Sequence, residues 1–304
     1  LLKEKFVELA RKIKLRKRIY KLKRFDVYVI LIVITVVLLF PILFTIANSF
    51  MSDKEVLDTY QKKIEEVEEG ESTEFLGFKL IPDMVSMKQY YTVLFRKPTF
   101  LLMFLNSAIM TIPIVIIQVI VGVFAAYAFA KLRFPLRDKL FFVFIVVMLM
   151  PLQVTLVPNY ILLRKLDMIG SFLSVILPGG FSAFGVVLLR QYMRGIPDEC
   201  CEAAMIDGAG YLKTFTKIIL PQCKSIIASL AILAFIDNWN MVEQPLIFLS
   251  DSAKYPLSVY LAYINEGDLG LAFASGVLYM IPTVLIYLYG EKYFVEGIQL
   301  TGIK

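Results

Sequence analysis

Six long apolar runs dominate the chain, each near the ~20 residues a helix needs to cross hydrocarbon. They lie at about 26–47, 100–129, 140–158, 171–190, 225–249 and 270–290. The first, from Val27 to Leu39, is almost pure Val, Ile and Leu. In water such β-branched runs favour strands, but in lipid every backbone polar group must find its partner within the segment, so helix is expected. The chain is 58% hydrophobic and 19% charged, more apolar than a soluble domain. The expected fold class is an all-α membrane protein with six transmembrane helices. Pro41, Pro113, Pro151, Pro158, Pro178 and Pro245 fall in or near the spans and predict kinks or broken ends, whose freed carbonyls neighbouring helices can absorb.

Charge sets the expected orientation. The N-terminus, the 131–139 loop, the 190–224 loop and the tail after 290 hold 22 of the 32 Lys and Arg, and the opposite loops hold 10. The richer side is expected to be cytoplasmic, with both termini inside. The block Arg11, Lys12, Lys14, Arg16, Lys17, Arg18, Lys21, Lys23 and Arg24 reads as a juxtamembrane orientation signal rather than a nucleic-acid arm, because an apolar span follows at once and no aromatics interleave. The first span is too long for the apolar core of a cleavable signal. Three segments are expected: a basic cytoplasmic N-terminus over 1–25, a first span with an acidic extracytoplasmic loop over 26–98, and a core transmembrane domain over 99–304 with a polar loop at about 190–222. The acidic loop crowds Glu65, Glu66, Glu68, Glu69, Glu71 and Glu74, and Leu57, Tyr60, Ile64 and Val67 recur there at helical spacing. It reads as a solvated hairpin or as a contact for an external partner.

The chain has no histidine, which removes imidazole metal ligands and the usual general base, so no metal site and no catalytic residue are expected. Cys200, Cys201 and Cys223 lie on the basic side and read as small buried apolar side chains rather than disulfides. The tail Gly297–Lys304 loosely imitates a phosphate-binding loop, but it has Gly-x-Lys in place of Gly-Lys-[Ser/Thr] and no following helix, so nucleotide binding by this chain is not expected.

The long polar loop carries the most specific pattern. Glu202, Ala203 and Ala204 precede Met205-Ile206, then Asp207-Gly208-Ala209, and Ile219-Leu220-Pro221 closes the segment. Small residues let another protein approach closely. Asp-Gly is a turn signal, so two short helices are expected to meet there. Tyr211, Phe215, Ile218 and Ile219 are placed to pack the second piece, and Pro221 to open the fifth span.

This pattern resembles the EAA loop of ABC importer permeases. Further similar stretches are Asn106-Ser107, Tyr127–Pro135, Met150–Pro158, Leu188–Tyr192 with Ile196-Pro197, Trp239-Asn240 with Pro245-Leu246, and Phe294–Ile298. Over roughly 85–304 the chain is similar to the carbohydrate-uptake branch of binding-protein-dependent permeases, most of all to the six-span subunit of maltose-type transporters. The resemblance implies a type I ABC importer permease fold with a cytoplasmic coupling helix at Glu202, Ala203, Ala204, Asp207, Gly208 and Ala209. It implies a non-ATPase subunit in a bacterial inner membrane, paired with a second permease. Two ATP-binding subunits would hold ATP and magnesium, and an extracytoplasmic sugar-binding protein would deliver a di- or oligosaccharide. It also implies that the outer loop at about 250–268 reaches toward the binding protein. The chain departs from the family at Cys200-Cys201 and at Met241–Gln244; the second departure lies where cargo passes.

Within the spans only Asp237 and Glu243 are acidic, and intramembrane charges need a reason. Asp237, Asn240 and Gln244 would share one face of a continuous helix. Asn238, Trp239, Asn240, Glu243 and Gln244 read either as the lining of a saccharide pathway or as a polar clamp between helices. Two other classes compete. An ion-coupled secondary transporter would show internal inverted repeats, which the sequence lacks. An intramembrane enzyme would need a nucleophile and base, and no such arrangement is visible. Within the importer class the alternative cargo is a glycerol-phosphate-like or polyanionic saccharide.

Overall fold

A computed structural model of the chain describes residues 27–61, 79–263 and 269–302. The basic block 1–25, the acidic stretch from Glu65 to Glu74, the stripe positions Ile64 and Val67, and Asn265 and Glu266 lie outside the described residues. The described structure is helical, and the chain forms two compact units, Leu1–Gln89 and Tyr90–Lys304.

In the first unit, α1 spans Val27–Asn48, and none of its most apolar stretch is buried. A helix apolar on all sides and exposed along its apolar stretch is built for lipid. It ends at Asn48, which is fully buried. The Asn48 amide donates to the carbonyls of Phe44 at 2.8 Å and Lys79 at 3.1 Å, and its oxygen accepts from the Tyr60 hydroxyl at 2.7 Å. Glu55 pairs with Lys79 at 2.8 Å. Asp53 receives the Lys88 ammonium and, at 2.6 Å, the Gln89 amide. Polar staples of this kind fix the chain where little apolar area is available.

The second unit is built around α2, Pro98–Lys131, whose 34 residues extend roughly 50 Å at the α-helical rise. Next come α3 (Arg137–Met148) and α4 (Leu152–Lys165), bent at 103° to one another. The following span is divided into α5 (Leu173–Gly179) and α6 (Ala183–Arg194). The loop beyond holds α7 (Glu199–Ile206) and α8 (Tyr211–Gln222), the latter with a π-helical stretch at Phe215–Ile219. α9 (Lys224–Trp239) leaves α8 at 75°. Then follow α10 (Glu243–Phe248), α11 (Leu257–Tyr263) and α12 (Leu269–Gly302). Four described helices are long and apolar enough to cross a membrane, and six if each bent pair counts as one span.

α2 packs along α6 and α9, and α9 along α12. One apolar cluster fills the C-terminal half of α2, where Val123 and Tyr127 meet Leu189, Met193, Ile219 and Leu230. A second fills its N-terminal half, where Met110 and Ile114 meet Val175 and Phe248. Side chains such as Ile116, Phe142 and Leu285 stay exposed on the outer faces, as lipid-facing positions do.

Two expected spans differ from the structure. The run 140–158 is not one helix: α3 ends at Met148, and Leu149 and Met150 donate to carbonyls three residues back. Pro151 has no N–H and pushes the residue before it out of helical geometry; it serves as the N-cap of α4 with ψ 144°. The run 225–249 is likewise interrupted, since α9 stops at Trp239 and α10 starts at Glu243. Pro221 sits in the last turn before the 75° bend and does not open α9.

Candidate functional site

The loop between α6 and α9 folds into a compact knob. α7 carries Glu202, Ala203 and Ala204, followed by Asp207, Gly208 and Ala209. Gly208 takes φ +79°, its N–H donates to Met205 O at 3.0 Å, and the Ala209 N–H donates to Ala204 O at 2.9 Å. This is the Schellman ending, which needs a residue free to adopt left-handed geometry. The Asp-Gly pair thus ends α7 as its sequence predicts. Glu202, Ala203, Asp207 and Gly208 are exposed, and Ala204 and Ala209 half-buried. Beside them Ile206 is 87% and Leu212 67% exposed, a small apolar crown on an otherwise polar knob. On the second piece Phe215 and Ile219 are buried, while Tyr211 stays outside.

Apolar packing and polar grips together hold the knob. Cys201 is the only residue of α7 that is fully buried, and burial pushes its thiol up. Cys223 is also buried, whereas Cys200 is exposed, against the expectation for all three. At the entry to the knob the Lys131 ammonium, from the last turn of α2, donates to Ile196 O at 2.5 Å and to Asp198 Oδ1 at 2.6 Å. Asp198 is the N-cap of α7, but its side chain makes no capping bond. The ammonium of Lys131 holds the Asp198 carboxyl below the usual carboxylate range. At the exit the Tyr127 hydroxyl, one turn earlier on α2, donates to Tyr211 O at 3.1 Å, and its ring packs on Phe215 at 4.8 Å. Below the knob, Arg190 donates to Phe129 O at 3.2 Å and lies 3.6 Å over the Phe141 ring.

The candidate pathway residues separate. Trp239 is only 2% exposed: its indole N–H donates to Tyr279 O at 3.2 Å, and its ring packs near-parallel to Phe235 and Tyr279 and edge-on to Phe104. No ring face is left for a sugar, so Trp239 is a packing residue within this chain and not part of the lining. Asn238 is half-buried and its amide returns to Ala234 O on its own helix. The break after Trp239 also removes the expected shared face, because Gln244 belongs to α10 and is half-buried.

Asp237, Asn240 and Glu243 remain exposed. Asn240 Oδ1 accepts from the Tyr279 hydroxyl at 2.8 Å. Glu243, at the start of α10, accepts from the Gln153 amide at 3.1 and 3.3 Å. Gln153 stands at the start of α4, so the two broken spans meet through this contact. The sequence does not single out Gln153, Tyr127 or Lys131; each lies inside a stretch of family resemblance, and only the fold brings them to their partners.

Discontinuous helices meeting at polar side chains, together with a knob extending from the bundle, are features compatible with a membrane transport subunit. Residues 90–297 match the family described as binding-protein-dependent transport system inner membrane component, and the chain belongs to that family, a multi-pass membrane subunit of ABC importers. The chain is 33% identical to the sn-glycerol-3-phosphate transport system permease protein of Pectobacterium atrosepticum, over 65% of this chain and 72% of the relative. It is 29% identical to the arabinooligosaccharides transport system permease protein of Halalkalibacterium halodurans, over 77% and 86% respectively. Its fold is similar to a chain of a bacterial ABC transporter involved in the import of the acidic polysaccharide alginate, with TM-score 0.73, 24% identity and coverage of 88% of this chain and 94% of that one.

Proposed function

We propose that this chain is the translocation subunit of an ATP-driven importer that carries a di- or oligosaccharide delivered by an extracytoplasmic solute-binding protein. It works with a second permease and two ATP-binding subunits, which hold the ATP and magnesium. Both termini and the knob face the cytoplasm, as the bias of Lys and Arg favours. The observation that carries the reading is the knob itself: an exposed, sharply terminated helix with Ile206 and Leu212 outward, suited to a groove on the ATPase. Glu202, Ala203, Ala204, Asp207, Gly208 and Ala209 form its docking face. Nucleotide binding closes the ATPase pair and moves the knobs, which biases a two-state equilibrium between outward- and inward-open bundles.

The cargo follows from the lining. Asp237, Asn240, Glu243 and Gln153 offer carboxylates and amides, which hydrogen-bond sugar hydroxyls. Lys and Arg in the apolar stretches of α2, α9 and α12 lie only near the ends of those stretches, at Lys131, Lys224 and Lys292. A neutral polyhydroxylated cargo suits this half of the pathway, and a phosphorylated or polyanionic one would need cations from the partner permease. The outer loop from Ser250 carries the contact with the binding protein.

The test is uptake by the complete complex in proteoliposomes. Neutral oligosaccharide should accumulate only with ATP and binding protein, indifferent to a proton ionophore. Uptake that survives without ATP and collapses with the proton gradient would identify a secondary transporter instead.

A further inference from the structure

α7 itself contributes only Cys201 to the core, while Ile196 before it and Phe215 and Ile219 after it join the apolar cluster on α2. Its position also depends on what grips its two ends, and both grips come from the last two turns of one helix. Tyr127 and Lys131 are four residues apart on α2 and therefore share a face. Lys131 holds the entry to the knob at Ile196 and Asp198, and its side chain is only 4% exposed. Tyr127 holds the exit at Tyr211 and packs on Phe215. The opposite end of the same helix holds the loop that precedes α11. The Asn106 amide donates to Ala253 O at 2.8 Å and Tyr255 O at 3.1 Å. Ser107 Oγ accepts from the Leu257 N–H at 2.8 Å. Ser107 and Lys131 are roughly 36 Å apart along the helix axis at the α-helical rise.

We infer that Tyr127 and Lys131 are the positioning residues of coupling: they strap the knob to α2 at two points, so that displacement of the knob moves α2 and the 253–257 loop at its far end as one body. This rests on the reading of the knob as the ATPase contact. A helix with a filled core along one side transmits such a displacement, whereas a knob held only by the non-directional apolar contacts of Ile196, Phe215 and Ile219 would slip on it. With the straps cut, the ATPase would still dock and hydrolyse, but its stroke would be lost in that slip.

The experiment compares wild type, Lys131→Met, Lys131→Arg, Tyr127→Phe, Asp198→Asn and the double variant K131M/Y127F in the reconstituted complex. It reads sugar transported per ATP hydrolysed, which a purely structural loss would not change in the protein that remains assembled. The double variant should keep binding-protein-stimulated hydrolysis while sugar per ATP falls about tenfold, the scale of a lost charge-assisted hydrogen bond. K131R should recover most of the ratio, and Y127F and D198N should fall between. An unchanged ratio in the double variant, or no recovery by K131R, overturns the inference. If K131M does not assemble, Y127F and D198N decide, because both leave Lys131 in place and an unchanged ratio in both is refuting. A cross-link from Ile206→Cys to the ATPase, made in a Cys200→Ser background, separates the two levels. Its presence with an unchanged ratio refutes the straps alone, and its absence in the parent refutes the knob as the ATPase contact.

Discussion

Replacing Gly208 tests whether the knob works as a preformed shape. Gly208 sits at φ +79°, and a Cβ built there meets nothing within 4 Å. Gly210 is equally open, but its φ of −73° suits any residue. The two positions differ in backbone alone. Ala at 208 carries the left-handed penalty of roughly 1–2 kcal/mol, which lowers the population of docking-competent knob by a factor of about 5–30. Ala at 210 carries no such penalty and restricts the unfolded chain, so it should be neutral or stabilising by up to about 1 kcal/mol. Asn is larger than Ala but tolerates left-handed geometry, so G208N should bind better than G208A. The assay is the apparent Kd of purified ATPase for permease in nanodiscs. If G208N were worse than G208A, side-chain size at the interface would be the cause; if G210A matched G208A, the conformational argument would fail.

Arg190→Met should destabilise the second unit by about 2–4 kcal/mol, since it removes a buried cation–π contact and a charged hydrogen bond to Phe129 O. Asp138→Asn should cost under about 1 kcal/mol, because its carboxylate is mostly exposed and lies 3.7 Å from Arg190; unfolding midpoints in detergent check both. The Asp198 carboxyl is held low by Lys131, so its contribution is complete above the ordinary carboxylate range and is lost only as pH falls through the depressed value. Wild type should therefore exceed D198N in sugar per ATP by a constant factor between about pH 5 and 8. A difference that vanished within that window would contradict the pairing.

Much of the fold was legible because lipid leaves a chain few choices. The runs 26–47 and 100–129 became helices with ends displaced by a few residues, and the run 270–290 became the first part of α12, which continues to Gly302; length and apolarity decide the matter in hydrocarbon. The knob was legible from Asp207-Gly208 because only glycine readily takes the required φ. The breaks were less so. Pro151 marked a kink, but the 103° bend depends on what packs around it. The interruption after Trp239 has no proline at the break, and α10 begins at Glu243 with Pro245 inside it. Trp239 illustrates the limit of local reading: an aromatic beside amides suits a sugar, yet Phe104, Phe235 and Tyr279 enclose it. Lys131 reads in sequence as one more basic residue at a span end, and its grip on Asp198 joins positions 67 residues apart.

The most direct test of the central claim is the sidedness of Ile206→Cys in a Cys200→Ser background, labelled with an impermeant maleimide. The account predicts labelling in inside-out vesicles, none in right-side-out vesicles, and protection when the purified ATPase is added back. Labelling from the outer face, or labelling from the inside that the bound ATPase leaves unchanged, would contradict it.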